Sequence, residues 1–353
     1  MPERLRVAIV GAGIGAAHAE GYAAHAELFE LALICDANPE RAAALAGRLP
    51  GAAACADLAE VLSQGGIDVV DICLPPFLHT DAVRRALEAG KHVVCEKPLC
   101  GSLAEVDLLA ALAESTGRRL MPVMQYGFGN GLRRLLHLRR HGVLGRAYLA
   151  TVETHWTRGP AYYAAPWRGR KATELGGALV SQAIHAHDLL MRVLGPVARV
   201  FARTATRVND IETEDCAVAS LLMADGSLAA LSVTLGAAEE ISRLRFCFEA
   251  LTAESSHFPY RPSAEPWTLT PRGEAHAARI AAALADFEPE EEGFARQFAL
   301  LHAAIANGGP LPVTVADARR SIELAAALYH SAATTTDVAL PLGRDHPTYH
   351  GWL

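Results

Sequence analysis

A concentrated block of positive charge is missing from this sequence. Its 353 residues include 32 basic and 39 acidic side chains, for a formal net charge of −7, and the basic residues form no stripe or cluster. A nucleic-acid partner therefore has little support, because phosphate backbones are bound by clustered lysine and arginine. With 51% hydrophobic and 20% charged residues, the composition is typical of a folded globular protein.

Long apolar runs are also missing. No segment reaches the roughly 18 apolar residues that a membrane helix needs, so we expect no membrane partner. The segment 7–17, preceded by Arg4 and Arg6, loosely imitates a signal peptide, but glycines interrupt it and a folded-domain pattern follows directly. These features predict a cytoplasmic protein.

Cysteine follows no recognisable pattern. The seven cysteines are scattered and odd in number, and no two of them form Cys-x-x-Cys. Their spacing therefore predicts neither a disulfide framework nor a metal site. Several lie in apolar strand-like segments, and buried reduced thiols, which are usual in the cytoplasm, explain them best.

Lysine is scarce, since Lys91, Lys97 and Lys171 are the only lysines among the 32 basic residues. Arginine provides the other positive charges. A retained lysine is therefore a candidate for chemistry, because lysine can lose its proton when it is buried. For Lys171, chance or a solvated surface position is the simpler explanation.

Length and pattern predict two domains, at 1–122 and 123–353. In the first, short apolar segments alternate with amphipathic stretches, which predicts a doubly wound parallel sheet with helices on both faces. The second has longer alternating segments, which predict an α+β domain with an open, largely antiparallel sheet. The predicted strands are 6–10, 31–35, 69–74, 93–95, 119–123, 147–157, 197–208, 216–223, 227–235 and 243–250. The predicted helices of the second domain are 178–194, 290–307 and 315–333.

The segment VAIVGAGIGAAH, at 7–18, is typical of a nucleotide-binding turn. A strand leads into a glycine loop that opens a helix, so that backbone N–H groups can approach a pyrophosphate. Gly11 and Gly13 fit the G-x-G-x-x-G spacing, which puts Ala16 at the third glycine position. Either alanine is tolerated there, or the loop is one residue shorter and Gly15 takes that position.

Asp36 ends the next strand-like segment, LALICD. A carboxylate at this point accepts hydrogen bonds from ribose hydroxyls and repels a 2′-phosphate, which favours NAD over NADP. The alternative is a simple helix N-cap, with Asn38 and Pro39 behind it.

Two further strand ends carry polar or rigid residues. In ICLPPFLHT, at 72–80, Leu74 and Pro75 follow a strand, and His79 either contacts a cofactor or caps the following helix. In VVCEKPL, at 93–99, Glu96 and Lys97 follow another strand. Ligands of parallel sheets bind outside the carboxyl ends of the strands. The predicted cofactor contacts are Gly11, Gly13, Ile14, Gly15, Asp36, Arg41, Leu74, Pro75, His79, Glu96 and Lys97.

The segment ELGGALVSQAIHAHDLLMRVLG, at 174–195, combines two glycines with a helix that carries His185 and His187. Histidines two apart on a helix point in different directions, so they are poor ligands for one metal ion, and we predict no metal site. His185 is a candidate acid or base, although a buried structural histidine is an equally good interpretation.

In this order, these stretches resemble the glucose-fructose oxidoreductase, inositol dehydrogenase and rhizopine-catabolism family (Gfo/Idh/MocA). AGKHVVCEKPL, at 89–99, is the most specific stretch, and GGALVSQAIHAHDLL, at 176–190, matches the glycine-then-histidine helix. Further likeness lies in QYGFGNGLRRL at 125–135, PWRG at 166–169 and the segment 294–332. The resemblance covers almost the whole chain.

This resemblance implies an N-terminal Rossmann domain and a C-terminal domain whose sheet makes a homodimer or homotetramer. It implies a nicotinamide cofactor, a sugar or polyol substrate, and catalytic roles for Lys97 and His185. The substrate-side candidates are Gln125, Tyr126, His155, Tyr162, Trp167, Arg168, Ser181 and His185. Relatives carry aspartate at the position of Ser181 and often arginine at that of Gly127.

Two alternatives to a simple dehydrogenase remain open at the level of sequence. A glycoside hydrolase of this fold can use NAD without net oxidation and release sugar without accumulating NADH. A regulatory protein that senses NAD(H) would bind the cofactor and turn nothing over, since a fold alone does not fix a function.

Overall fold

The computed structural model describes residues 4–352. Residues 1–3 and 353 of the two predicted domains lie outside this range. The chain divides into two compact units, Met1–Gln125 with Gly293–Arg319, and Tyr126–Glu292 with Arg320–Leu353. Within residues 4–352, no helix has both the length and the hydropathy that a membrane span requires.

The first unit contains a six-stranded sheet in the order β3-β2-β1-β4-β5-β6, with every neighbouring pair parallel. Its strands are β1 Leu5–Val10, β2 Phe29–Cys35, β3 Ala53–Cys55, β4 Val69–Ile72, β5 His92–Cys95 and β6 Leu120–Pro122. The helices between them are α1 Gly15–Ala23, α2 Pro39–Ala46, α3 Leu58–Ser63, α4 His79–Glu88 and α5 Leu103–Thr116. Every residue of β4 is buried, as expected for a parallel strand covered on both faces.

Local sequence fixes where these helices begin. The Asn38 side chain accepts the N–H groups of Glu40 and Arg41 at the start of α2, and Pro39 occupies the first turn. At α5, the Ser102 hydroxyl accepts the N–H of Glu105, whose carboxylate accepts the N–H of Gly101. These caps hold the helices against the sheet that carries the glycine loop.

The second unit contains an eight-stranded sheet in the order β13-β12-β11-β7-β10-β9-β8-β14. All its neighbouring pairs are antiparallel except β7 and β10. The strands are β7 Ala147–Thr157, β8 Val197–Ala205, β9 Cys216–Met223, β10 Leu228–Thr234, β11 Gly236–Phe248, β12 Leu251–Glu254, β13 Thr268–Pro271 and β14 Val338–Ala339. The remaining helices of the chain are α6 Asn130–Arg140, α7 Pro160–Tyr163, α8 Lys171–Glu174, α9 Ala178–Ser181, α10 Ile184–Leu194, α11 Glu274–Ala283, α12 Gly293–Asn307 and α13 Val315–Thr334. Of these, α12 and the first residues of α13 belong to the first unit.

The predicted fold class is confirmed, with a parallel sheet followed by a largely antiparallel one. Several element boundaries were wrong. The strand predicted over 243–250 begins at Gly236, and the strand predicted over 69–74 ends at Ile72. The strand predicted to end at 208 ends at Ala205, because the Asp215 carboxylate binds the N–H groups of Arg207, Val208 and Asn209 at 2.7–2.9 Å. The helix predicted over 178–194 breaks after Ser181, where a wide turn joins residue 183 to residue 178.

Candidate active site

The glycine loop after β1 is shaped by close contacts rather than by flexibility. Gly11 has φ +108°, and a Cβ there would lie 2.3 Å from the carbonyl oxygen of Cys73. Helix α1 begins at Gly15, where a Cβ would lie 2.6 Å from Ile9 Cγ2. The close approach of helix to strand therefore falls on Gly15 and not on Ala16, so the loop is one residue shorter than the standard spacing.

The outer side of the same loop is open. A Cβ on Gly13 would meet nothing within 4 Å, and the Ile14 side chain is 46% exposed. Among residues 4–352, no side chain caps the first turn of α1 by a hydrogen bond. Its N–H groups and the positive end of the helix dipole thus fit the pyrophosphate of a dinucleotide.

Asp36 follows β2 and holds this loop in place. Its Oδ2 accepts the N–H of Ala12 at 2.9 Å, and its Oδ1 accepts the N–H of Asn38 and the Arg41 guanidinium, both at 2.8 Å. Burial opposes ionisation, but these donors outweigh it and hold the pKa of Asp36 below its ordinary value. Asp36 is therefore a carboxylate at neutral pH, as a ribose-binding residue must be.

Leu74 and Pro75 follow β4, which ends at Ile72, at the carboxyl edge of the parallel sheet. His79 is fully buried at the start of α4. Its ring nitrogens lie 2.7 Å from the Pro98 carbonyl oxygen and 2.8 Å from that of Leu74. Burial lowers the pKa of His79, so the ring is neutral and donates a hydrogen bond to one of these two carbonyls.

Glu96 and Lys97 follow β5 at the same edge. Glu96 is 5% exposed, and its Oε2 accepts the backbone N–H of Lys97 at 2.9 Å. The peptide bond between Lys97 and Pro98 is cis. Lys97 is half-buried.

Three buried side chains that form a cluster with Glu96 were not predicted as site residues. His18 on α1 lies 3.1 Å from Glu96 Oε1 and 2.8 Å from Asp71 Oδ2, and the Cys73 sulfur lies 3.3 Å from the ring. Two signals in the sequence could have identified them. His18 ends the glycine-loop segment, and Asp71 is a carboxylate within the apolar strand β4.

In the second unit, His185 lies on α10 and is 4% exposed. Its ring stacks on that of Tyr126, with centroids 4.3 Å apart. The neighbouring His187 is also buried, and burial lowers its pKa to about 4. The two histidines of the helix therefore differ in surroundings, as the sequence predicts for residues two apart.

Four of the predicted substrate-side residues come together in the second unit, namely Tyr162, Trp167, Arg168 and Ser181. The Arg168 guanidinium lies over the Tyr162 ring at 3.9 Å and over the Trp167 ring at 4.1 Å, and it donates to the Tyr162 hydroxyl. Two further residues that we did not predict complete this cluster. They are Gln182, whose Nε2 donates to the Tyr162 hydroxyl at 2.7 Å, and Glu174.

Glu174 supplies the carboxylate of this cluster. It is 2% exposed, and its Oε1 accepts the Ser181 hydroxyl at 2.9 Å and lies 3.5 Å from Arg168 Nη1. Ser181 is the last residue of α9, and His185 lies on α10 beyond the break between these helices. The chain places a buried carboxylate against Ser181.

His155 and Gln125 are not part of this cluster. The His155 Nε2 on β7 lies 2.9 Å from the Ser232 hydroxyl on the adjacent strand β10. Gln125 ends the first segment of the first unit, and its side-chain oxygen has no hydrogen-bond partner among residues 4–352.

Comparison with known proteins gives matches to both halves of the chain. Residues 5–124 match the family described as "Oxidoreductase family, NAD-binding Rossmann fold". Residues 132–254 match the domain described as "GFO/IDH/MocA C-terminal domain".

Curated relatives and solved structures agree with these matches. The D-glucoside 3-dehydrogenase of Escherichia coli strain K12 is 34% identical over 196 residues, which cover 54% of this chain and 54% of that protein. The levoglucosan dehydrogenase of Pseudarthrobacter phenanthrenivorans is 29% identical over 218 residues, or 59% of this chain and 56% of that protein. The chain thus spans little more than half the length of these relatives.

The WlbA dehydrogenase of Bordetella pertussis was solved in complex with NADH and UDP-GlcNAcA. It matches with a TM-score of 0.84 and 29% identity, over 97% of this chain and 100% of that chain. With both domains matched in their order along the sequence, this chain belongs to the Gfo/Idh/MocA family of NAD-binding oxidoreductases.

Proposed function

We propose that this protein is an NAD(H)-dependent oxidoreductase that acts on a carbinol or carbonyl carbon of a sugar, polyol or related small molecule. One observation carries the proposal: the glycine loop, Asp36 and Glu96-Lys97 all follow strands of one parallel sheet, at its carboxyl edge. The relatives named as glucoside and levoglucosan dehydrogenases, and the NADH-bound WlbA dehydrogenase, support it.

The cofactor is NAD rather than NADP in this proposal. The open Gly13, Ile14 and the uncapped first turn of α1 hold the pyrophosphate, and the ionised Asp36 binds ribose hydroxyls. The same charge disfavours a 2′-phosphate, although Arg41 stands beside it. When bound, the nicotinamide supplies the hydride-transfer chemistry.

The catalytic residues are Lys97 and His185. The Lys97 ammonium donates a hydrogen bond to the substrate oxygen and stabilises the negative charge that develops there. His185 takes the hydroxyl proton of the alcohol, or returns it in the reverse direction, and its stacking on Tyr126 fixes the plane of the ring. The Ser181 hydroxyl, bound to Glu174, stands in place of the aspartate of relatives.

Sugar binding falls to the cluster around Arg168. Its guanidinium lies 3.9 Å from the centroid of the Tyr162 ring and 4.1 Å from that of the Trp167 ring, and contact with both rings restrains it as a donor for hydroxyl groups. Because Glu174 balances the charge of Arg168, the cluster suits a neutral polyol better than a free anion.

The C-terminal sheet is the proposed surface of a homodimer or homotetramer. Leu149, Leu228 and Leu222 lie abreast on three neighbouring strands and are 43%, 53% and 37% exposed. Such an apolar row on one sheet face is suited to a second copy of the chain. We also propose a cytoplasmic location, supported by the seven cysteines, which are free thiols.

The test begins with a titration of the purified protein with NADH and, separately, NADPH, followed by energy transfer from tryptophan to the reduced nicotinamide. We expect a clear preference for NADH, and preference for NADPH would contradict the role of Asp36. Binding of neither cofactor would overturn the oxidoreductase proposal.

The second stage is a sugar and polyol screen, measured by NADH absorbance, with two matched lysine variants. Lys97→Met removes turnover and spares NADH binding, whereas Lys171→Met, at an exposed lysine, leaves both unchanged. Full activity of Lys97→Met would contradict its catalytic role. Release of sugar without NADH would indicate the hydrolase instead, and binding without any turnover would indicate the regulatory protein.

A further inference from the structure

The cluster of His18, Asp71 and Glu96 has no role in the function proposed so far. His18 is 0% exposed, and Phe294 and Phe298 of α12 cover its ring, with centroids 4.5 and 5.5 Å away. Both ring nitrogens bind carboxylates, Nδ1 to Asp71 at 2.8 Å and Nε2 to Glu96 at 3.1 Å. A histidine between two acids, sealed by aromatic rings, is costly to bury unless its charge is balanced.

The contacts determine the protonation of the cluster. Ionised carboxylates accept hydrogen bonds but do not donate them, so a ring that donates to two ionised carboxylates carries a proton on both nitrogens. Burial by itself disfavours this imidazolium, but the charge of Asp71 and the hydrogen bonds outweigh burial and raise the pKa of His18 well above its ordinary value. Asp71 and Cys73 from the β4 end, Glu96 from the β5 end and Tyr22 from α1 are the titratable groups that face the cluster.

The cluster reaches the catalytic strand end through the two oxygens of one carboxylate. Glu96 Oε1 is held by His18, and Glu96 Oε2 accepts the backbone N–H of Lys97 at 2.9 Å. Helix α1 is thereby connected to the main chain of Lys97 through a charged hydrogen-bond chain. Charge-assisted hydrogen bonds of this kind are shorter and stronger than neutral ones and fix orientation as well as distance.

We propose that His18 is a positioning residue, which as an imidazolium holds Glu96 and, through Glu96, fixes the main chain from which the Lys97 side chain extends. The catalytic part of this inference rests on the proposed function, which gives Lys97 its role. The hydrogen bonds that connect His18, Glu96 and the Lys97 N–H are independent of that function. A neutral residue at position 18 removes the positive charge that His18 places 3.1 Å from Glu96 Oε1. The lysine is then held less firmly against a substrate oxygen.

The scarcity of lysine gives a test that does not depend on activity. Protein labelled with ¹⁵N-lysine gives three backbone amide signals, from Lys91, Lys97 and Lys171, and the Lys97→Met variant assigns the second. In His18→Gln we expect the Lys97 amide signal to move upfield and the other two to stay in place. An unmoved Lys97 signal would overturn the proposal, whether or not the protein proves to be an enzyme.

Kinetics then connects the arrangement to turnover. We expect His18→Gln to lower kcat by about 10- to 100-fold, in line with small misplacements of catalytic groups, and to change NADH affinity by less than about threefold. The pH profile of kcat should also differ in shape from that of the wild type, because the variant lacks the charge that His18 places beside Glu96. Wild-type kcat, or a profile parallel to that of the wild type, would contradict a positioning role.

The double variant His18→Gln/Asp71→Asn separates position from stability. It replaces the ion pair of His18 and Asp71 by two neutral amides. This removes the charge that Asp71 retains in His18→Gln, while the positive charge that His18 places beside Glu96 stays absent. We expect thermal stability to recover toward wild type and kcat to stay low. Recovery of both together would mean that the cluster serves stability alone and would overturn the proposal. Absence of turnover in the wild type would refute the proposed function, and the amide signals would still decide the arrangement.

Discussion

The neutral, buried His187 makes the stability of the protein depend on acid in a predictable way. Its side chain is 2% exposed on α10, and its Nε2 has no hydrogen-bond partner among residues 4–352. Burial lowers the pKa of His187 to about 4, against about 6.5 in an unfolded chain. At about 1.4 kcal/mol for each pKa unit, this difference corresponds to about 3 kcal/mol.

The sign follows from where the proton binds. Between pH 6.5 and 4 the unfolded chain protonates His187 and the folded chain does not, so the free energy of unfolding falls as the pH falls. This loss in the free energy of unfolding is absent above pH 6.5 and complete below pH 4. We expect His187→Leu, which keeps an apolar side chain of similar size, to remove this part of the acid sensitivity.

The assay is urea unfolding of wild type and His187→Leu at steps between pH 7 and 4.5, followed by circular dichroism. Taking the difference between the two proteins cancels the other titrating groups. The free energy of unfolding of His187→Leu, minus that of the wild type, should increase by about 2–3 kcal/mol between pH 7 and pH 4.5. The exposed His141→Leu serves as a control and should follow the wild type. Parallel curves for His187→Leu and wild type would refute the reasoning.

Three further predictions concern the site and the proposed interface. Gly15→Ala should lower the melting temperature and weaken NADH binding, because its Cβ would lie 2.6 Å from Ile9 Cγ2, a clash that costs about 1–3 kcal/mol; unchanged binding would contradict the tight packing of α1 on β1. Arg168→Lys should raise the KM for the sugar by about 10-fold with little change in kcat, since an ammonium cannot stack on the two rings; equal kinetics would remove Arg168 from the binding site. Leu228→Asp should shift the protein toward monomer in light scattering, and an unchanged mass would place the interface elsewhere.

The shape of the glycine loop could be predicted from sequence because each of its demands is local. Gly11 needs a positive φ, Gly15 needs the absence of a Cβ, and Asp36 follows a strand at a fixed distance from the loop. The alternative between Ala16 and Gly15 could not be decided in the same way. It depends on the contact between α1 and Ile9, which only the packed structure provides.

The residues that sequence analysis missed are those whose role depends on distant partners. His18 binds Asp71, 53 positions away, and Glu96, 78 positions away, and no local pattern reports such pairs. Glu174 was missed for a related reason, since the sequence does not show that its carboxylate binds the Ser181 hydroxyl. The carboxylate that accepts the Ser181 hydroxyl belongs to Glu174, the last residue of α8, seven positions earlier.

Asp36 has a consequence for any attempt to redesign this protein. Its Oδ2 holds the glycine loop through Ala12, and its Oδ1 holds the start of α2 through Asn38. Exchanging Asp36 to admit a phosphorylated ribose would leave the Ala12 N–H without its acceptor, a loss of about 1–3 kcal/mol in a partly buried loop. A substitution of Asp36 that alters the choice of nucleotide therefore also destabilises the loop, and a second substitution is needed to supply an acceptor for the Ala12 N–H.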